Sequence, residues 1–265
     1  MAELSGKDYS IKISGAAVYL TGETTTSVAG DLVYQITDTV RRILDRTGSI
    51  WVHKKGTNDT AEAGTTTTNI KMTAHGLVNG DLIINTTHAG VRTVTRVDAD
   101  NVTVIAVTGQ TTSDTIEIYK TEPATAYTLN RLNGKVTYLT NVSRVIKISG
   151  SYLPMTTAAY ANSSSTNKTA EVLDVTTFGL THKKRIAGLK SASGTLSQFD
   201  VADTTYSAAL TAGVPIVIES RTVSTEEPDR FWALLESDEV KAAVDGVQDE
   251  TVSWVSYDAW INLGV

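Results

Sequence analysis

Roughly one residue in six is threonine, and this excess constrains the chain most, because β-branched side chains are stiff at χ1 and suit a pleated surface. With valine also abundant and the breaks short and rich in Gly and Asn, the pattern predicts an all-β fold. There is no cysteine, so neither a disulfide framework nor a thiolate metal site can brace the chain, and stability must come from packing or assembly. At 265 residues the chain can form one large or two smaller β domains with real cores. A net charge of −6 argues against a protein held to nucleic acid through phosphates, which needs a basic patch to displace counterions. It is compatible with a surface that DNA passes without sticking. The opening residues lack a basic segment followed by an apolar run, and no stretch approaches the ~18 apolar residues of a membrane span. The chain therefore reads as made in the cytoplasm, with no membrane insertion.

Local patterns fill in the elements. In Tyr9-Ser-Ile-Lys-Ile-Ser, Ile11 and Ile13 share one face of an extended strand. The run from Val33 to Leu44 fits a strand or a helix, since Val33, Ile36, Val40 and Ile43 also have helical spacing. Asp45 to Gly48 reads as a turn before a strand over Ile50 to His53. From 56 to 119 Thr, Asn, Asp and Gly dominate, Trp and Phe are absent, and seven acids face three basic side chains. This composition shift predicts a small inserted β domain at 56–119, flanked by a discontinuous domain of 1–55 and 120–265. Its strands are expected at Asp81-Leu-Ile-Ile, Val91 to Val97 and Asn101 to Val107, with Leu77, Leu82, Ile84, Val94, Val102 and Val104 as core and Thr65 to Thr68 as loop. Asn133-Gly134 within Tyr127 to Tyr138 predicts a hairpin with a two-residue turn, and Asp245-Gly246 predicts another. Tyr206 to Gly213 predicts one short helix capped by Asp203 or Thr204, leading into a strand from Val214. Residues 154–171 show no apolar period and read as a long loop of the functional kind.

Taken in order, several segments resemble the major tail-tube proteins of long-tailed (siphovirus-like) bacteriophages. They are Tyr127 to Tyr138, Thr176 to Lys190 with Gly194-Thr-Leu-Ser, the helix with Ala212-Gly-Val-Pro-Ile-Val-Ile, and Trp232-Ala-Leu-Leu-Glu-Ser with Ala242-Ala-Val-Asp-Gly-Val. Ile13-Ser-Gly-Ala-Ala-Val and Val33-Tyr-Gln-Ile-Thr-Asp fit as well, so the resemblance spans most of the chain and spares 56–119. It implies a tail-tube antiparallel β-sandwich or barrel with one flanking helix, closed by neighbours into rings, usually of six. Stacked rings would form a conduit for genomic DNA in the virion tail. It also implies, as partners, further copies of this chain, a tape measure protein, and tail terminator and distal tail proteins. The inserted domain is then expected on the outer wall, since inward it would obstruct the channel. The rival is a phage or bacterial surface adhesin whose inserted domain recognises a glycan or receptor, although such proteins more often show tandem repeats, which this chain lacks.

No catalytic signature supports an enzyme or a cofactor. His53, His75, His88 and His182 fall in no ligand spacing of the H-E-x-x-H kind, and no G-x-S-x-G is present. Glu236 and Asp238, two apart on an expected strand, are candidate channel acids projecting with Trp232 and Leu234, since like charge lets a polyanion slide. Met155, Tyr160, Asn162 and Asn167 mark the 154–171 segment as the candidate contact between rings. Lys183, Lys184 and Arg185 are candidates for intersubunit ion pairs. The edge problem supplies the physical reason for assembly: open sheets leave unpaired backbone groups, and a ring pairs each edge with the next copy.

Overall fold

The computed structural model describes residues 10–141, 145–158, 161–175, 182–183, 185–199, 205–221, 227–241 and 248–263. Within them the chain is nearly all β, in antiparallel sheets with one α-helix. The first strands are β1 Ser10–Ser14, β2 Val18–Ala29, β3 Val33–Ile36, β4 Trp51–Lys55, β5 Asp59–Thr60, β6 Asn69–Lys71, β7 Leu82–Asn85, β8 Val91–Thr93, β9 Thr95–Arg96, β10 Asn101–Thr103 and β11 Thr115–Thr121. Then come β12 Tyr127–Asn130, β13 Lys135–Tyr138, β14 Ile146–Tyr152, β15 Met155–Thr157, β16 Ala161–Asp174 and β17 Arg185–Phe199. Helix α1 Thr205–Ala212 precedes β18 Ile216–Arg221, β19 Asp229–Lys241, β20 Asp249–Ser256 and β21 Ile261–Asn262. The chain divides into two compact units, Met1–Gly15 with Met155–Val265, and Ala16–Pro154.

The first unit is one sheet in the order β15-β1-β18-β19-β20-β17-β16, with β21 added to β19. Ile11 and Ile13 are buried, as their alternation predicts, and join Ile216, Ile218, Phe231, Ala233, Leu196, Val252 and Trp254 in one core. Helix α1 lies where expected and ends at Gly213, with Tyr206 in that core and Ala209 packed against it. The residues expected to cap its start lie outside those described. In adjoining strands Lys12 and Arg230 both pair with Glu219, at 3.1 and 2.7 Å, and Glu219 is only 4% exposed. Burial alone would raise the Glu219 carboxyl, but the two cations outweigh it and hold it below its ordinary value.

In the second unit the longer sheet runs β12-β13-β3-β2-β14-β4-β11-β7-β8, with β5 on β11, beside a three-stranded sheet β6-β10-β9. Val33–Ile36 proves to be strand, followed by a single 3-10 turn at Thr39–Arg41. Residues 56–119 lie inside this unit and keep an apolar cluster of their own, from Ala61 to Ile118. The second cluster, with Leu20, Ile36, Val52, Val136 and Ile148, has no member from that stretch. Leu77, Val94, Val102 and Val104 are core residues as expected, but Ile83 takes the place foreseen for Ile84. The expected strand over Val91 to Val97 is split at buried Val94, so that β8 pairs with β7 while β9 pairs with β10.

The hairpin at Asn133-Gly134 forms, yet Asn130 rather than Leu132 faces Lys135, which makes the loop four residues long. Tertiary anchors draw the two extra residues from the ladder. Leu132 is buried, and Arg131 donates to the carbonyls of Asp45, Arg46 and Gly48. Gly134 keeps the positive φ of 62° that such a turn needs. The Asp245-Gly246 turn lies outside the described residues, although β19 and β20 do pair antiparallel.

Candidate assembly surface

Residues 154–171, expected as a loop, are instead strand β15 and most of β16. β16 is 14 residues long and forms the edge of the first sheet, paired on one side with β17. An edge of that length exposes a row of backbone donors and acceptors, which native sheets ordinarily blunt by shortness, charge, proline or bulges. Here the devices are Lys168, Glu171 and Asp174 toward one end and two register shifts, after Ala161 and after Ala170, while Ala161 to Asn167 carry no charge and no proline. Of the residues anticipated in this segment, Met155 opens β15, Asn162 and Asn167 are exposed on β16, and Tyr160 lies outside the described residues.

β17 outruns its other neighbour. It pairs with β16 from Arg185 onward but with β20 only from Ser193. Up to Ser191 the two strands therefore form a ribbon without a third. That ribbon carries Val172, Leu173, Ile186 and Leu189 at 63, 47, 46 and 82% exposure, and Leu173 sits opposite Ile186 in the ladder. Leu173 and Ile186 share one face of the ribbon while Val172, the preceding residue, points to the other, so this bare two-stranded ribbon exposes apolar side chains of the kind that mark an interaction surface. Lys183 and Arg185 are exposed where β17 begins, Arg185 opposite Asp174, and Lys184 lies outside the described residues.

Nearer the sheet, β16, β17, β20 and β19 show two unlike faces. Ala192, Leu196, Val252 and Trp254 point into the core. The opposite face is a carpet of hydroxyls in register, linked across strands by Ser165 to Thr195 at 2.9 Å, Thr169 to Ser191 at 2.8 Å, Ser197 to Thr251 at 3.2 Å and Ser237 to Ser253 at 2.6 Å. Sequence alternation placed Glu236 and Asp238 together with Trp232 and Leu234, but a bulge between Leu235 and Ser237 breaks it. Glu236 is the extra, exposed residue, and Asp238 falls opposite core Val252. Asp238 Oδ1 is shielded from solvent with no hydrogen-bond partner among the described residues. Glu239, opposite Thr251, is the acid that stands among the hydroxyls, with Lys241 Nζ at 3.7 Å.

The second unit contains a polar relay that the spacing of its residues in sequence could not reveal. His53 Nε2 lies 3.0 Å from Ser149 Oγ and its Nδ1 3.2 Å from Thr121 Oγ1, while the Thr121 amide donates to Asp81 Oδ1. A hydroxyl rather than a carboxylate orients the imidazole, and Ser149 is 3% exposed with its Oγ accepting from the Gly22 amide. The arrangement locks strands together and offers a substrate no approach to Ser149. Asp81 also caps the Val78 amide, and His75 Nδ1 accepts from Leu77, so the Thr73 to Asp81 stretch acts as a turn lock.

Burial pushes the His53 imidazole down to about 4, against a smaller opposing effect of Asp81. The unfolded chain therefore binds this proton more readily, and stability should be full above the ordinary value of 6.5 and fall as pH drops toward 4, by about 3 kcal/mol at most. Urea unfolding across that window should show the loss, and His53→Gln should flatten it. An equally steep limb in the variant would assign the effect to other groups.

No protein-family model matches the chain, and no curated protein does. Solved structures similar to it include a chain from the virion of a native gene transfer agent particle, at 16% identity and a TM-score of 0.37, covering 41% of this chain and 88% of that one. Another is a chain from the tail of an empty gene transfer agent particle with C6 symmetry, at 18% identity and a TM-score of 0.37, covering 41% of this chain and 86% of that one.

Proposed function

We propose that this chain is a tail-tube subunit of a long-tailed bacterial virus, which joins copies of itself into stacked rings that conduct DNA. The observation that carries the reading is the 14-residue edge strand β16, whose far end forms with β17 a ribbon that exposes apolar side chains. A neighbouring copy that adds a strand to this edge and covers the ribbon satisfies both features at once. The sequence segments that resemble tail-tube proteins supply the rest: the conduit, the ring of six and the tail location.

The hydroxyl face suits such a conduit. Its hydroxyls are bonded to one another, and the cations that β19 carries on this face stand beside acids, Lys241 by Glu239 and Arg230 by Glu219, so a duplex sliding past would release few counterions and meet no deep minimum. On this reading Glu239 and Glu236 are the acids presented to DNA, and Asp238 supports the strand. Residues 56–119 are the part that the tube does not need, carried on its outer wall.

Purified protein tests the reading directly. Sedimentation should give a ring-sized species at high concentration, and electron microscopy should show rings or hollow tubes. A monomer that persists at high concentration and forms no filament would overturn it.

A further inference from the structure

Lys168 stands where the β16–β17 ribbon leaves the first sheet. It lies opposite Ala192, and β17 gains β20 as its second neighbour only from Ser193. Ala192 belongs to the core, so Lys168 is on the core side of the edge strand. From there its side chain is directed across the sheet. Lys168 Nζ lies 2.5 Å from Asp229 Oδ2 on β19 and 5.8 Å from the centroid of the Phe231 ring.

This contact requires a bend. β17 and β20 lie between β16 and β19, and in a flat sheet those three strand spacings would amount to roughly 14 Å. A lysine and an aspartate side chain do not bridge that distance, so the sheet curls until the edge strand looks back over Phe231 toward β19. The receiving end is held in place. Asp229 Oδ1 accepts from Asn262 Nδ2 at 3.2 Å, and buried Phe231 packs on Trp254 and Trp260 with ring centroids 5.2 and 6.0 Å away. The hydroxyl pairs of β16, Ser165 with Thr195 and Thr169 with Ser191, reach only its neighbour β17. Lys168 reaches the body of the sheet.

We propose that Lys168 is the residue that aims the assembly edge: its bridge to Asp229 fixes the angle at which the ribbon leaves the sheet, so that a free subunit already presents β16 in the direction a neighbouring copy needs. The proposal rests on the reading that copies join along this edge. A ribbon rooted by backbone pairing alone would sample many angles, and association would then bear the cost of ordering it. One partly exposed ion pair is weak by itself. Here a cation–π contact is added to it, and the bridge recurs in every subunit of an assembly.

The chain has no cysteine, so spin labels can be placed freely. With labels at Leu189→Cys on the ribbon and Glu236→Cys on β19, the monomer should give one narrow distance distribution. Lys168→Met and Asp229→Asn should each broaden it, both together no more than either alone, and Lys168→Arg should keep it narrow. In the unlabelled chain the same two variants should raise the protein concentration at which tubes form about threefold to tenfold, with the circular dichroism of the parent. Asp229 is three strands from the edge, so its effect on assembly separates aiming from direct contact with a neighbour. Narrow distributions in both variants, additive effects of the two substitutions, or tubes forming at the parent's concentration overturn the proposal. A parent chain that forms no tubes sinks the assembly reading instead, and the label distances still decide whether Lys168 fixes the ribbon.

Discussion

The double variant Leu173→Asp, Ile186→Asp is expected to remain folded and to form no tubes. Both side chains are nearly half exposed in the single chain and lie on the ribbon beyond β20, so the substitutions, which set two carboxylates opposite each other in the ladder, should lower subunit stability by about 1–2 kcal/mol without unfolding it. In an assembly that covers the ribbon the balance is different. Each Leu or Ile, already about half buried, forfeits roughly half of the ~1.5–3 kcal/mol of full burial, before the larger cost of burying a carboxylate without a partner is added. Two such losses in one contact amount to about 4 kcal/mol or more, or roughly a thousandfold in its dissociation constant, repeated at every subunit. Circular dichroism should match the parent chain, with only a modest fall in the urea midpoint, while sedimentation shows a monomer. Tubes of normal length from the folded variant would mean that the ribbon is not where copies meet.

The sequence disclosed the fold class and several elements because their faces differ chemically. Ile11 and Ile13 alternate with Lys12 and Ser14, and that contrast placed β1. Tyr206 to Gly213 combined helix formers with a terminal glycine, and α1 followed. β16 lacked any such contrast. Its core-side residues Ser164 and Thr166 lie opposite Leu196 and Gly194, its outer residues Ser163, Ser165 and Asn167 opposite Ser197, Thr195 and Ser193. Both faces of the strand are hydroxyl-rich, so no period exists to be read, although the strand partner has one. A polar strand of this kind is specified by its neighbour.

Other details failed for related reasons. Leu82-Ile83-Ile84 is a continuous apolar run, and parity within such a run is silent: Ile83 reached the core while Ile84 stayed half-buried. The bulge at Glu236 adds one residue and turns Asp238 to the other face, a change no alternation rule can anticipate. The interval 154–171 stood out in the sequence as a loop between rings, and the structure makes it strand, the edge now proposed for assembly. Its distal apolar ribbon drew on residues from two distant stretches, 172–173 and 186–189, which pairing alone brings together.

Where β17 crosses the core, Gly194→Ala should destabilise the first unit by about 3 kcal/mol, the upper part of the range for overpacking, and Gly194→Leu should prevent its folding. A Cβ at this position would collide with the Ser165 carbonyl oxygen and lie 2.6 Å from Trp254 Cζ2. Neither neighbour can yield cheaply. Ser165 is bound into the β16–β17 ladder, and Trp254, 1% exposed, packs on Phe231 with ring centroids 5.2 Å apart. The glycine thus lets the long edge strand and the largest core side chain approach β17 at the same point, so the shape of the assembly edge depends on a missing methyl. Ser193→Ala, one residue away on the hydroxyl face, should leave the urea midpoint within about 0.5 kcal/mol of the parent. A midpoint for Gly194→Ala as high as that of Ser193→Ala would show that β16 has room to retreat, and that Trp254 does not fix the edge.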